Sequence, residues 1–237
     1  MSPLKKPVYI LGVDTTSKHS SISIFRDDEI QVEYNFTTLD GLSASLVPAL
    51  EFVLRSAGLK LDDINIFGIC IGPGLFTGIR VGMATLKGLL FDQAKPVVPV
   101  LSLKALAYNY IKSDFTIIPL IDARRNEVYM AGYNHFENKI KEVIIPQLIP
   151  INRLEETLAE INDVHFIGSG AEVHKEFLKK TFHNSKIFYR SSFLASEICK
   201  IAYPKFLKNE YITDLQQLLP FYIRKPDAEI NYPTIKK

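Results

Sequence analysis

The chain has 237 residues, 47% of them hydrophobic and 23% charged, which is enough apolar material for one large or two small domains. Its 28 Lys and Arg against 26 Asp and Glu leave a net charge of +2. That balance excludes a general electrostatic grip on a polyanion, so an RNA would have to be held by a local patch or by a partner. The two cysteines, Cys70 and Cys199, have no second cysteine or histidine at metal-ligand spacing, a pattern that fits a reducing cytosol better than a disulfide framework. The apolar run from Val8 to Val13 is too short for a signal-peptide core, and no stretch approaches the ~20 apolar residues of a membrane span. The expected compartment is the cytoplasm.

Val8 to Val13 reads as a strand buried on both faces, and Asp14-Thr15-Thr16-Ser17 follows as a small polar turn. Ser20 to Phe25 alternates as a strand, Asp27-Asp28 marks a hairpin, and Glu29 to Phe36 alternates again. Ser43 to Ala57 is expected to be a helix, with Leu46, Leu50, Val53, Leu54 and Ala57 at helical spacing and Gly58 as its stop. Pro48 lies early in that helix, where it is either tolerated or kinks it. Ile64 to Ile71 is another buried strand, followed by a glycine-rich turn at 72–78, a long helix to about Phe91, a short strand from Val97 to Val100 and a helix from Ser102 to Ile111.

A second series starts near Phe115. Thr116 to Ile121 is apolar, Asp122-Ala123-Arg124-Arg125-Asn126 is a polar turn, and Glu127 to Tyr133 and Lys141 to Ile149 are strand-like. A helix from Asn152 to Glu160, a strand from Val164 to Ile167, the turn Gly168-Ser169-Gly170, a helix near Ala171 to Thr181, a short strand and a helix near Ser191 to Phe206 complete it. Both series open with a strand and a turn carrying an aspartate, Asp14 and Asp122, which predicts two related α/β lobes. Their expected extents are residues 1–111, completed by 215–237, and residues 112–214.

Two segments are candidates for phosphate or nucleotide binding. Glycine at 72 and 74 permits unusual φ and close approach of a ligand, and the helix that follows offers free amides to an anion, with Thr77 available as its cap. No Gly-Lys-Ser/Thr follows, so this is not a P-loop. Asp14, Thr15 and Ser17 sit at the end of a buried strand, where α/β sheets place ligands. The same residues also suit tight turns with glycine chosen for packing and hydroxyls as local caps, and both readings stay open here. The five histidines, His19, His135, His165, His174 and His183, form no pair at helical spacing and no catalytic array. Arg124 and Arg125 suit phosphate or a partner's carboxylates, or ion pairs with Asp122 or Glu127.

Four segments, Ile10-Leu-Gly-Val-Asp-Thr-Thr-Ser17, Gly72-Pro-Gly-Leu-Phe-Thr-Gly-Ile-Arg-Val-Gly82, Ile121-Asp-Ala-Arg-Arg-Asn-Glu-Val-Tyr129 and Pro220-Phe-Tyr-Ile-Arg224, together resemble the TsaB (YeaZ) family in that order. The resemblance implies the two-lobed α/β fold of actin and the sugar kinases (ribonuclease H-like), each lobe a mixed sheet flanked by helices. It also implies an accessory subunit for threonylcarbamoyl transfer to adenosine 37 of tRNAs reading codons that begin with A. The partners it implies are a catalytic TsaD-type paralogue and a TsaE-type ATPase, with a homodimer when the chain is alone and tRNA met only through the complex. In the paralogues two histidines one helical turn apart bind a metal. Ser102 and Leu106 stand at those places here, and leucine cannot ligate a metal. The resemblance therefore predicts no catalytic residue, no metal and no cofactor of the chain's own, although a nucleotide could sit at the partner interface. Leu75 departs from the Ser that many members carry after Gly-Pro-Gly. The rival readings are a stand-alone nucleotide-dependent kinase and a peptidase of the same fold.

Two helices carry more apolar surface than packing on one sheet requires. Leu46, Leu50, Val53 and Leu54 line the first, and Ile79, Met83, Leu86 and Leu90 the second, where Arg80 and Lys87 are the only charges. The family's helices at these positions bundle with a partner, so these ten residues are the expected partner surface, with Leu50 and Met83 facing outward.

Overall fold

The computed structural model describes residues 6–37, 41–110, 114–136, 139–189 and 191–224. In chain order the first series gives β1 (Tyr9–Asp14), β2 (His19–Arg26), β3 (Glu29–Thr37), α1 (Leu42–Ser56), β4 (Ile66–Gly72), α2 (Phe76–Leu89), β5 (Val97–Leu101) and α3 (Ser102–Ala107). The strands form one sheet in the order β3-β2-β1-β4-β5. Short turns make β1, β2 and β3 antiparallel, and helical crossovers make β1, β4 and β5 parallel. α1 stops where the sequence says it should. Gly58 takes φ 68°, its amide donates to the Arg55 carbonyl at 3.0 Å, and the Leu59 amide donates to the Leu54 carbonyl at 2.9 Å, the paired bonds of a glycine-terminated helix. Pro48 is tolerated because it sits on the exposed side, where water can take the carbonyl it leaves unpaired.

The second series gives β6 (Thr116–Asp122), β7 (Glu127–Phe136), β8 (Lys139–Pro150), α4 (Leu154–Thr157), β9 (Val164–Ile167), α5 (Ser169–Val173), α6 (Lys175–Thr181) and β10 (Ile187–Phe188). Its sheet order, β8-β7-β6-β9-β10, repeats the topology of the first. Ile118, Leu120, Val128, Met130, Leu154, Phe166 and Leu178 form its core. Two expected helices come out shorter. Between 152 and 160 only Leu154 and Leu158 are buried, so just the turn Ile151–Arg153 and α4 form. The helix expected at 171–181 is interrupted at His174, whose φ of −102° and ψ of 23° separate α5 from α6.

The expected division of the chain is corrected. Helix α7 (Ala195–Leu207) belongs to the first unit, which comprises Met1–Tyr108 and Ser191–Pro220; the second comprises Asn109–Arg190 and Phe221–Lys237. The reason lies in β1 and β4, which are buried on both faces and need a cover besides α1 and α2. α7 supplies it, with Ala195, Ile198, Cys199 and Ala202 fully buried. Gly12 and Gly68 leave room for it: a β-carbon at Gly68 would lie 2.6 Å from Ile198 Cγ2. Ile212 then bonds Val97 in both directions at 2.8 and 2.9 Å. After Pro220 the chain returns to the second unit, where the Arg224 guanidinium donates to the Ala123 carbonyl at 2.8 Å and pairs with Glu127. The rest of the expected 215–237 completion, from 225 onward, lies outside the described residues, as do Ile111 and Arg190. No helix among the described residues is long and apolar enough to cross a membrane.

The docking of α7 can be tested at its closest approach. In Gly12→Val the β-carbon would stand 2.5 Å from the Ala195 carbonyl oxygen and 2.7 Å from Cys199 Sγ. The variant should lose about 2–3 kcal/mol in urea denaturation. An unchanged midpoint would mean that α7 does not lie on β1.

Candidate functional site

The Asp14 turn and the glycine-rich turn meet, but as a packed joint. Asp14 is fully buried, and its Oδ1 accepts the Thr16 amide at 3.0 Å and the Thr16 hydroxyl at 2.7 Å, an Asx-type turn. Oδ2 has no hydrogen-bond partner among the described residues. Burial lifts the Asp14 pKa from 3.8 to about 6, with the Thr16 donors pulling the other way. The Cys70 thiol is pushed well above 9.0, first by burial and then by the Asp14 charge.

Thr15 and Thr16 lie directly on α2. The Thr15 hydroxyl donates to the Gly78 carbonyl at 2.8 Å, and the Leu75 amide donates to the Thr16 carbonyl at 2.6 Å. Gly78 and Gly82, four apart, share one side of α2, and Gly74 lies in the turn just before it. A β-carbon would strike the Thr16 carbonyl from Gly74, the Thr15 carbonyl from Gly78 and the Thr15 hydroxyl from Gly82. The glycines therefore open a groove that Thr15 and Thr16 fill. Pro73, joined to Gly72 by a cis bond, offers its carbonyl to the buried Ser102 hydroxyl at 2.5 Å. Ser102 and the buried Leu106 stand on α3, where the resemblance places a metal-binding pair in the paralogues. Among the described residues no group of three or more His, Cys, Asp or Glu could hold a metal.

The expected nucleotide residues are thus enclosed by their own fold. Asp14, Thr15 and Gly72 are buried and Gly74 is half-buried in the joint. Ser17 stands apart: its hydroxyl donates to the His19 carbonyl and accepts the His19 amide, both at 3.0 Å. Thr77 is not the helix cap, a place taken by Leu75 without a side-chain bond. Sequence reasoning missed Gly78, Gly82 and Ser102 as members of the joint. The four-residue glycine spacing signals close backbone approach without naming the backbone that approaches.

The expected partner helices need a second correction. Leu46, Leu50, Val53, Ile79, Met83, Leu86 and Leu90 are buried in the first unit. Leu50 and Met83, expected outward, are each only 5% exposed, because the sheet beneath claims the more apolar stripe of each helix. Leu54 and Lys87 are half-buried; Arg80 is exposed and lies over the Phe76 ring at 3.8 Å. The outward apolar groups are others: Val47 and Phe52 on α1, Leu75 before α2, and Phe91 just after it, which is 82% exposed. Phe52 continues into Tyr34 and Phe36 on β3, with ring centroids 5.2 and 5.3 Å apart along the series.

In the second unit the turn after β6 holds Arg124, Arg125 and Asn126 at φ of 60°, 55° and 57°. Three successive left-handed residues without a glycine cost roughly 1–2 kcal/mol each. Asp122 Oδ1 accepts the Arg124 amide at 2.9 Å, and Glu127 pairs with Arg224.

Residues 40–232 match the model of the family described as TsaD: tRNA N6-adenosine threonylcarbamoyltransferase. The tRNA threonylcarbamoyladenosine biosynthesis protein TsaB of Bacillus subtilis is 26% identical over 224 residues, covering 94% of this chain and 97% of that protein. A Pseudomonas aeruginosa structure, described as similar to peptidase YEAZ, superposes with a TM-score of 0.79 at 22% identity over 92% of this chain and 100% of that one. An inorganic polyphosphate/ATP-glucomannokinase from Arthrobacter follows at a TM-score of 0.50 and 11% identity, over 85% and 99%. These two likenesses speak for the fold, that of actin and the sugar kinases. Taken with the TsaB alignment from end to end, the family match shows that the chain belongs to the TsaD-type tRNA N6-adenosine threonylcarbamoyltransferase family, in its TsaB (YeaZ) group of tRNA threonylcarbamoyladenosine biosynthesis proteins.

Proposed function

We propose that this chain is the accessory, non-catalytic subunit of tRNA threonylcarbamoyladenosine synthesis. It acts in the cytoplasm, binds and orders a TsaD-type catalytic paralogue and, with it, a TsaE-type ATPase. It pairs with a second copy when that partner is missing, and the complex modifies adenosine 37 of tRNAs reading codons that begin with A. The observation that carries this reading is the filled joint. Asp14, Thr15 and the glycines of the Gly72–Gly82 segment are used to bind the chain to itself, and Ser102 and Leu106 stand where the resemblance places the paralogues' metal-binding pair. Such a chain needs no cofactor of its own. The partner surface in this account is the outward side of α1 and α2, with Val47, Phe52, Leu75 and Phe91 as its apolar groups and Arg80 among its charges.

Reconstitution tests the proposal. The pure chain should turn over no ATP and modify no tRNA, while adding it to the TsaD-type and TsaE-type proteins, supplied with ATP and an activated threonylcarbamoyl donor, should switch modification on. Modification that proceeds equally well without the chain would refute the scaffold role. On the surface itself, Phe52→Glu or Phe91→Glu should leave the fold intact and weaken partner association by roughly 2–4 kcal/mol, about 30- to 1000-fold. Wild-type affinity in both variants, by sedimentation, would remove these side chains from the interface.

Asp14 offers a pH test. Its folded pKa of about 6 lies above the ordinary 3.8, so the folded state holds the extra proton and stability falls as pH rises through that window. The loss is complete by about a unit above the folded pKa and amounts to about 3 kcal/mol at ~1.4 kcal/mol per pH unit. Asp14→Asn keeps an acceptor for Thr16 and removes the buried charge. Its stability relative to wild type should therefore grow between pH 4 and 7 and then level off, while reconstituted modification continues. A difference that does not change with pH would show that Asp14 is not held as a buried, desolvated acid.

A further inference from the structure

The turn after β6 would be easier to form with glycine, yet it carries two arginines. Arg124 and Arg125 both sit in the left-handed region that glycine occupies freely, and both side chains are exposed. The backbone around them is held from several sides. The Arg124 amide donates to Asp122 Oδ1, and the Asp122 amide donates to the Ser169 hydroxyl at 3.1 Å. The Glu127 amide donates to the Arg124 carbonyl and the Ala123 amide to the Glu127 carbonyl, each at 3.0 Å, and the Ile151 amide donates to the Asn126 carbonyl at 2.9 Å. Arg224 completes the frame through the Ala123 carbonyl and the Glu127 carboxylate. Residues kept in costly conformations by such over-determined surroundings cluster at functional sites. Asp122 and Glu127 are themselves part of the frame, through the Arg124 amide and Arg224.

We infer that Arg124 and Arg125 form an RNA-phosphate contact, through which this chain adds to the tRNA affinity of the complex. The inference rests on the functional reading above. A guanidinium is a planar fork that matches two phosphate oxygens, keeps its charge at any physiological pH, and loses less entropy on binding when its backbone is already fixed. With a net charge of only +2 on the whole chain, a grip on tRNA has to be local, and a pre-set arginine pair is such a patch. A phosphate contact of this kind adds affinity and salt dependence without reading bases.

The test uses the full chain reconstituted with its TsaD-type and TsaE-type partners and an unmodified tRNA that reads codons beginning with A. Assembly is followed by sedimentation and tRNA binding by fluorescence anisotropy across a salt series. Arg124→Ala with Arg125→Ala should assemble normally and bind tRNA about 10- to 100-fold more weakly at moderate salt, with the log–log salt slope reduced by about 1–2. Arg124→Lys with Arg125→Lys should recover most of that slope, because it restores charge without the fork. Unchanged affinity and slope in the alanine variant would overturn the inference and leave the scaffold role standing. So would loss of assembly with unchanged tRNA affinity per assembled complex, since the arginines would then be gripping a protein's carboxylates. A wild-type chain that neither joins the complex nor raises its tRNA affinity would overturn the functional reading as well as this contact.

Discussion

The contact between Thr15 and Thr16 and the glycine-lined side of α2 decides most of what surrounds it. Two backbone carbonyls and one hydroxyl lie where ordinary side chains on Gly74, Gly78 and Gly82 would stand. The first strand and the helix after the fourth are thereby brought closer than side-chain packing allows. Asp14 is then fully buried, holding Thr16 in its turn with one oxygen and lying beside the Cys70 thiol. Ser102 closes the far end by donating to Pro73. Here these positions serve cohesion. That is the physical basis for treating the chain as a subunit that presents surfaces.

The repeated strand order shows how one plan serves two ends. In each unit three antiparallel strands are extended by two parallel ones, and the first strand ends in an aspartate, Asp14 or Asp122. In the first unit the aspartate is sealed and its pKa raised. In the second it is half-exposed and anchors a turn through the Arg124 amide. One turn is closed by a glycine-bearing helix; the other is held open by Arg224 and presents arginines.

Much of this was legible in the residues. Continuous apolar runs located β1, β4 and β6, alternation located β2 and β3, and Gly58 marked the end of α1, because each of these is a local decision. The sequence could not assign α7 to its unit, since an apolar helix near 195–207 reads the same whichever sheet it covers. The clue was present in Gly12 and Gly68, one in each central strand, but a glycine in a strand does not say what approaches it. Leu50 and Met83 were misplaced for a related reason. Periodicity reveals a stripe but not which of two apolar stripes the sheet takes. The left-handed Arg124–Asn126 run carried no signal, because no glycine marks it. Bonds from Asp122, Glu127, Ile151 and Arg224 hold it.

The central claim is that the glycines at 74, 78 and 82 make room for Thr15 and Thr16, and Gly82→Ala tests it by the sign of its effect. In an ordinary helix interior, replacing glycine by alanine stabilises by roughly 0.5–1 kcal/mol. At Gly82 the new β-carbon would collide with the Thr15 hydroxyl, so the account predicts a loss of about 2–3 kcal/mol in denaturant titration. Thr15→Ala in the same chain should restore part of that loss, with a coupling of about 1–2 kcal/mol. A Gly82→Ala variant that is more stable than wild type, or losses that simply add, would contradict the account.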